Sequence, residues 1–394
     1  MPIDRSADPP LLLPAGTRLL HIGPPKTGTS ALQYALHRAR QVLLANDVLY
    51  PGTEVNHYRA VYAFMGRRDL RNPGARRAWR SQLGRVPPMT EWSDLMREVD
   101  AEPHRRVVIS HEAISRSSTA MARAFVQQLG PDRTHIVITL RPPARLLPSR
   151  WSELVKEGAT DDTFDEWLRR VYGRSRRPVS AAMRRYLDQG GLVQRWARVA
   201  GPDRVTVILA DRQDKRLLAD TFEALVGLPP GTLALADAGA SANRSMTATE
   251  AEAIRRLNSR LARGTASAWR ARLDAVRTDL IDRALARRRP RQEEPPLQLP
   301  GWAARLAAQD GRRYAERIAA SGVRVVGDLT RYRTDVAPAA RKERSPQPRH
   351  RRWWNRTMVV GGLLVGTARG AGAGAIQLVR HRISDRRGVE RRQQ

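Results

Sequence analysis

The chain has 394 residues, 41% of them hydrophobic, enough for one large domain or two ordinary ones with a real core, which excludes a wholly disordered protein. Its formal net charge of +31, from 70 Lys and Arg against 39 Asp and Glu, draws phosphates, anionic lipid or other acidic partners. It has no cysteine, so disulfides, thiolate metal ligands and a catalytic thiol are excluded.

The opening stretch MPIDRSADPPLLLPAG lacks a basic start followed by a long apolar run, so no secretory signal peptide is expected and a cytoplasmic location is. The first β-rich run is 19–23 (LLHIG), followed by the turn Gly23-Pro24-Pro25-Lys26-Thr27-Gly28-Thr29-Ser30. After it, Leu32, Ala35, Leu36, Ala39 and Leu43 form one apolar helical stripe. The turn fails the pattern of the nucleoside-triphosphate P-loop, whose lysine follows the last glycine and directly precedes Ser or Thr. A glycine-bearing turn that feeds a helix still presents unpaired N–H groups and the positive end of the helix dipole. The hydroxyls of Thr27, Thr29 and Ser30 add donors, so the stretch predicts an anion cradle. A bare helix N-cap on Thr27 or Thr29 explains one hydroxyl but not the lysine, the glycine and three hydroxyls together. Lys26 is also one of only four lysines, with Lys156, Lys215 and Lys342, in an arginine-rich chain.

The later β-rich runs are 107–110 (VVIS), 135–140 (HIVITL) and 205–209 (VTVIL), with 323–326 (VRVV) a weaker fifth that Arg324 interrupts. The four strong runs are apolar on both faces, as buried parallel strands are. Helical patterns alternate with them, which predicts an α/β domain with a parallel sheet. His111 and Glu112 sit just past the second strong run, at the edge of the sheet where ligand crevices form. The third runs into HIVITLRPPARLLPSRWSELVKEG, with Arg141 at the strand terminus and Ser149 eight residues on. Pro148 would kink a helix begun at Pro143, so the helix is expected to start near Pro148. The stretches 160–200 and 246–320, the latter broken by PRQEEPPLQLPG at 290–301, predict helices that roof the crevice. Thr247 and Glu250, in ANRSMTATEAEAIRRLN, form a capping box, a sufficient structural reason that leaves Asn243 and Arg244 without an assigned role.

PKTGTS resembles the 5′-phosphosulfate loop of the sulfotransferase family, enzymes whose donor is 3′-phosphoadenosine 5′-phosphosulfate (PAPS). Arg141 and Ser149, after a later strand, resemble that family's 3′-phosphate element. Two motifs in the right order extend the resemblance, to bacterial-type members, over residues 15–335. It implies a P-loop-like, three-layer α/β fold with a central parallel β-sheet flanked by helices and helical insertions over the active site. It implies PAPS as donor, 3′-phosphoadenosine 5′-phosphate (PAP) as product, and no metal. Pro25, Lys26, Thr27, Gly28, Thr29 and Ser30 would surround the 5′-phosphosulfate, with Lys26 beside the bridging oxygen. Arg141 and Ser149 would take the 3′-phosphate, a dianion that suits a guanidinium fork. The family's base is a histidine or a glutamate, which leaves His57, His111 and Glu112 as candidates and Glu54 behind them. The Arg-Lys-Gly loop of the cytosolic small-molecule enzymes has no match, and GVRVVGDLTRY keeps only Gly327-Asp328.

The expected function is sulfuryl transfer from PAPS to a hydroxyl of a carbohydrate, glycolipid or small metabolite. A nucleotide-dependent phosphotransferase on a similar fold would need a Walker-type lysine and a magnesium-binding acidic strand end, and neither is apparent. No aromatic platform or nucleic-acid module accompanies the charge, so specific nucleic acid is not an expected partner, and polyanion binding remains a side property. From 336 a basic Pro-, Arg- and Gly-rich tail begins, and its residues 338–394 carry 14 basic against 3 acidic side chains. Its segment 353–379 pairs Trp353 and Trp354 with a stretch charged only at Arg356 and Arg369. A membrane span, an interfacial segment on the anionic inner membrane face and a disordered tail all fit this composition.

Overall fold

The computed structural model describes residues 11–69, 86–211, 213–235, 246–264 and 294–334, with 281, 284, 285, 288 and 290. Asn243, Arg244 and the tail, including 353–379, lie outside the described residues. Strand β1 (Arg18–Ile22) leads to helices α1 (Thr29–Arg38) and α2 (Arg40–Ala45), then β2 (Val48–Leu49), α3 (Tyr58–Asp69) and α4 (Thr90–Ala101). β3 (Arg106–Ser110) passes through a 3-10 turn (Glu112–Arg116) to α5 (Thr119–Leu129) and β4 (Thr134–Leu140). Next come α6 (Pro143–Lys156), α7 (Phe164–Val171), α8 (Ala181–Leu187), α9 (Gln189–Ala200), β5 (Val205–Leu209) and α10 (Leu217–Val226). The order closes with α11 (Ala248–Gly264), α12 (Gly301–Ala319), β6 (Arg324–Val326) and α13 (Leu329–Thr334).

All six strands pair in parallel in one sheet, ordered β2-β3-β1-β4-β5-β6. Side chains alternate across it, so each strand feeds two cores. Leu20, Ile22, Ile109, Ile136 and Ile138 pack with α3, α4, α5, α9 and α12, while Leu19, Val108, Val137 and Ile208 pack with α1, α2 and α10. The result is a three-layer α/β/α fold, with both sheet faces covered as apolar parallel strands require. β1 lies between β3 and β4, so the crevice at the carboxyl ends of these strands is framed by the turns that follow them. Among the described residues no helix is long and apolar enough to cross a membrane.

Three elements depart from expectation. Helix α6 begins at Pro143, not near Pro148: Pro142 sits at its cap, Pro143 in its first turn, and Pro148 inside it. A proline costs a helix one hydrogen bond and some strain, and here the buried stripe of Ala144, Leu147, Trp151, Leu154 and Val155 outweighs that cost. β6 begins at Arg324, as a short edge strand, and β2 has only two residues, too few for any periodicity to reveal. The helices of 160–200 and 246–320 form a third apolar cluster on α6, where Trp151 and Leu147 meet Trp167, Tyr186, Ile254 and Ala303.

Candidate active site

The turn after β1 is built from close contacts. A Cβ on Gly23 would lie 2.2 Å from Thr139 Oγ1, so only glycine fits between β1 and β4. Lys26 and Gly28 both take left-handed backbone (φ 73° and 100°), and Gly28 is the N-cap of α1 without any side-chain cap. Neither threonine caps the helix. Thr27 instead donates to the Pro24 carbonyl at 2.9 Å and, its proton spent, accepts from Thr139 Oγ1 at 2.9 Å. Each later hydroxyl has one proton to give, which sets the direction of the rest of the chain. Thr139 accepts from His21 Nε2 at 3.4 Å, His21 Nδ1 accepts from Ser110 Oγ at 2.8 Å, and Ser110 Oγ accepts from Gln33 Nε2 at 3.1 Å. Burial pushes the His21 imidazole down to about 3, against a smaller upward pull from Glu112, so it stays neutral in this role. The network ties the ends of β1, β3 and β4 beneath the turn and holds its shape.

Thr27 and Thr29 are buried, whereas Lys26, Gly28 and Ser30 are exposed and Pro25 is half-buried. Among the described residues no backbone carbonyl accepts from the N–H groups of Lys26 to Ser30. Consecutive orphan donors at a helix start, bracketed by two left-handed residues, form an anion-binding nest.

Arg141 leaves the end of β4 and donates through Nη1 to the Lys26 carbonyl at 3.2 Å and to Ser149 Oγ at 3.5 Å. Ser149 in turn donates to the Arg145 carbonyl at 3.2 Å. The buried Gln189 carboxamide clamps the Arg141 backbone, accepting from its N–H at 3.3 Å and donating to its carbonyl at 2.8 Å. A cavity of about 750 Å³ opens beside these groups. Lys26, Gly28, Arg141, Arg145, Lys215 and Arg331, with Asp211, Asp214 and Asp328, supply its charged and cradle side, and Leu209, Ala210, Leu217, Leu218 and Leu235 its apolar side. At its rim Arg331 pairs with Asp211 at 2.8 Å, and Asp328, the residue kept from the missing loop, caps α13 by accepting from Thr330 N at 2.7 Å. None of the helices α7, α8, α9, α11 and α12 lines this cavity.

Lys26 also meets α6. Its Nζ lies 3.2 Å from Glu153 Oε1, on α6. Arg150, nearly buried, sets Nη1 3.8 Å from Glu153 Oε2 and 3.7 Å from Glu157 Oε1, and its guanidinium lies over the Tyr186 ring of α8. Burial raises the Glu157 carboxyl above the usual range, partly offset by Arg150.

The sequence-predicted bases differ in what they have left to offer. His57 Nδ1 accepts from the Ser110 N–H at 3.0 Å and its Nε2 donates to the Pro51 carbonyl at 3.0 Å. Both ring nitrogens are spent on backbone, and burial pushes the ring down to about 4. His57 is thus a strut between α3 and β3 rather than an exposed base. His111 Nδ1 accepts from the Ala113 N–H at 3.1 Å, and its ring stands edge-on to Tyr62 with Nε2 3.8 Å from Glu112 Oε1. Burial lowers the His111 imidazole, outweighing the upward pull of Glu112. Burial pushes the Glu112 carboxyl up, yet His111, its own N–H, Arg116 and Gln33 together hold it below the ordinary range. Its Oε2 makes no hydrogen bond among the described residues. Glu54 is exposed, and its carbonyl accepts from Arg40 Nη2 at 2.6 Å.

Sequence reading missed Arg145, Glu153 and Arg331. The first two had a signal: Arg145, Ser149 and Glu153 fall at i, i+4 and i+8 on one helix face. Arg331 had none, because only the sheet order brings α13 to this cavity.

No protein-family model matches the chain, and no curated protein sequence does. Among solved structures, the crystal structure of a sulfotransferase from Alicyclobacillus acidocaldarius is similar over 80% of this chain and 98% of that one, at 14% identity and a TM-score of 0.44.

Proposed function

We propose that the chain is a PAPS-dependent sulfotransferase that moves a sulfuryl group to the hydroxyl of a carbohydrate, glycolipid or other small metabolite. One observation carries this reading. Arg141 donates to both the Lys26 carbonyl, at 3.2 Å, and Ser149 Oγ, at 3.5 Å, so two motifs more than a hundred residues apart meet at one cavity.

PAPS supplies the sulfuryl group, with PAP leaving as the S–O bond breaks. The N–H groups of residues 26–30 hold the 5′-phosphate at the helix start, and Arg141 with Ser149 holds the 3′-phosphate. Lys26 Nζ stabilises the negative charge that builds on the leaving oxygen, a preorganised electrostatic role. The acceptor proton passes to a carboxylate, since His57 has both nitrogens engaged and His111 has one tied to Ala113.

Lys26→Ala separates this role from binding. Conversion of PAPS to PAP is expected to fall by about 10²- to 10³-fold, the scale of losing one charge-stabilising donor, while PAP, which lacks the sulfuryl group, still binds. Parent-level turnover in the variant contradicts the role of Lys26.

A further inference from the structure

On the reading that this chain transfers a sulfuryl group, we propose that Glu153 takes the proton of the acceptor hydroxyl, and that the recess it shares with Glu112, Arg116 and Arg150 receives a neutral polyol. Glu153 pairs with Lys26 but does not line the 750 Å³ cavity. Arg150 is only 8% exposed, yet its Nε makes no hydrogen bond among the described residues. Glu153 Oε2, Glu112 Oε2 and Ser117 Oγ are likewise buried without a hydrogen-bond partner. Orphaned buried polar atoms are rare in proteins, and Glu153, the ion-pair partner of Lys26, and its neighbour Arg150 each carry one.

The walls belong to one place. Arg116 Nη2 donates to the Tyr62 hydroxyl at 3.1 Å, and the Arg116 carbonyl accepts from Arg185 Nε at 3.0 Å, which joins the 3-10 turn to α8. The charge of Arg116 acts on Glu112, Glu157 and Tyr186, and that of Lys26 on Glu157. The carboxylates Glu112, Glu153 and Glu157 are interleaved with the cations Lys26, Arg116 and Arg150. Interleaved carboxylates and guanidiniums suit hydroxyls, which donate to the first and accept from the second. An anionic glycan would meet the carboxylates, and a phenol would leave them unsatisfied.

Glu153 is favoured over Glu112 by its contact with Lys26, 3.2 Å away. In an in-line displacement the entering and departing oxygens lie on opposite sides of one sulfur, so the base and the leaving-oxygen lysine serve one reaction centre from its two ends, and Glu153 is within reach of the centre that Lys26 serves. The acceptor oxygen forms its bond to sulfur as the bridging S–O bond breaks, with that electron pair going to the phosphate oxygen of PAP. The hydroxyl proton passes to Glu153, which neutralises its carboxylate and leaves the charge of Lys26 to the departing oxygen.

The test follows sulfur-35 from PAPS onto trehalose, maltotriose and myo-inositol, with chondroitin and p-nitrophenol alongside, for the parent, Glu153→Gln, Glu153→Asp and Glu112→Gln. Calorimetry with PAP runs in parallel. Label is expected on a polyol, with kcat lowered about 10²-fold or more in Glu153→Gln and partly restored in Glu153→Asp. Glu153→Gln is expected to bind PAP as the parent does, so that its loss falls on the transfer step. An unchanged rate in Glu153→Gln, or a loss of rate in Glu112→Gln alone, overturns the assignment of the proton. Label on chondroitin or p-nitrophenol, or on none of the polyols, overturns the acceptor class. A parent that does not bind PAP sinks the sulfotransferase reading itself, a distinct result.

Discussion

Thr27, Thr29 and Ser30 carry similar hydroxyls, but the fold gives them different tasks. Thr27 is buried and bonded to Pro24 and Thr139, whereas Ser30 faces out from the helix start. Residue type and spacing located the turn and the Arg141 and Ser149 pair, because both are set by local geometry at a strand end. They could not locate the partners of His57, because these come from β3 and a loop, and only the folded chain shows its two nitrogens taken. His57 is held near 4, with His21 near 3, His135 near 4 and His111 also lowered, all chiefly by burial. The unfolded chain binds these protons first, at about 6.5, so the stability tied to them is whole above that pH and declines as pH falls toward the folded values. Urea unfolding at pH 7.5, 6 and 5 is expected to show the parent weakening down the series. His57→Gln removes one contributor, worth about 1.4 kcal/mol per unit of depression abolished, and flattens the slope. An identical slope in the variant contradicts the buried, neutral His57.

At the scale of elements, strand and helix alternation was legible wherever a run was long or apolar on both faces. The capping box was legible too: Thr247 N donates to Glu250 Oε2 at 2.9 Å, and Glu250 N to Thr247 Oγ1 at 3.2 Å. α6 was misread because local proline chemistry was weighed without the packing of Leu147 and Trp151. Pro148 remains a local fault in that helix, since it cannot donate to the Ala144 carbonyl. Pro148→Ala is expected to raise stability by about 1–3 kcal/mol in urea unfolding, below the full cost of an interior proline because a half-buried ring is lost. A loss of stability would mean that α6 depends on the bend Pro148 imposes.

At the scale of the molecule, the parallel sheet does what no single motif can. Its order, β2-β3-β1-β4-β5-β6, sets β1 beside β4 and so brings the 23–30 turn against Arg141. The same order brings α13 and Arg331 to the cavity from the far end of the domain, which no local pattern foretells. The central claim is that this shared edge holds a 3′-phosphorylated adenosine donor. Calorimetric titration with PAP on the parent and on Arg141→Ala, with ATP as control, tests it most directly. The account predicts tight binding of PAP by the parent, a loss of about 1.5–3 kcal/mol in Arg141→Ala as a charged hydrogen bond is removed, and no comparable binding of ATP. Absence of PAP binding, or a preference for ATP, contradicts it and returns the phosphotransferase reading to first place.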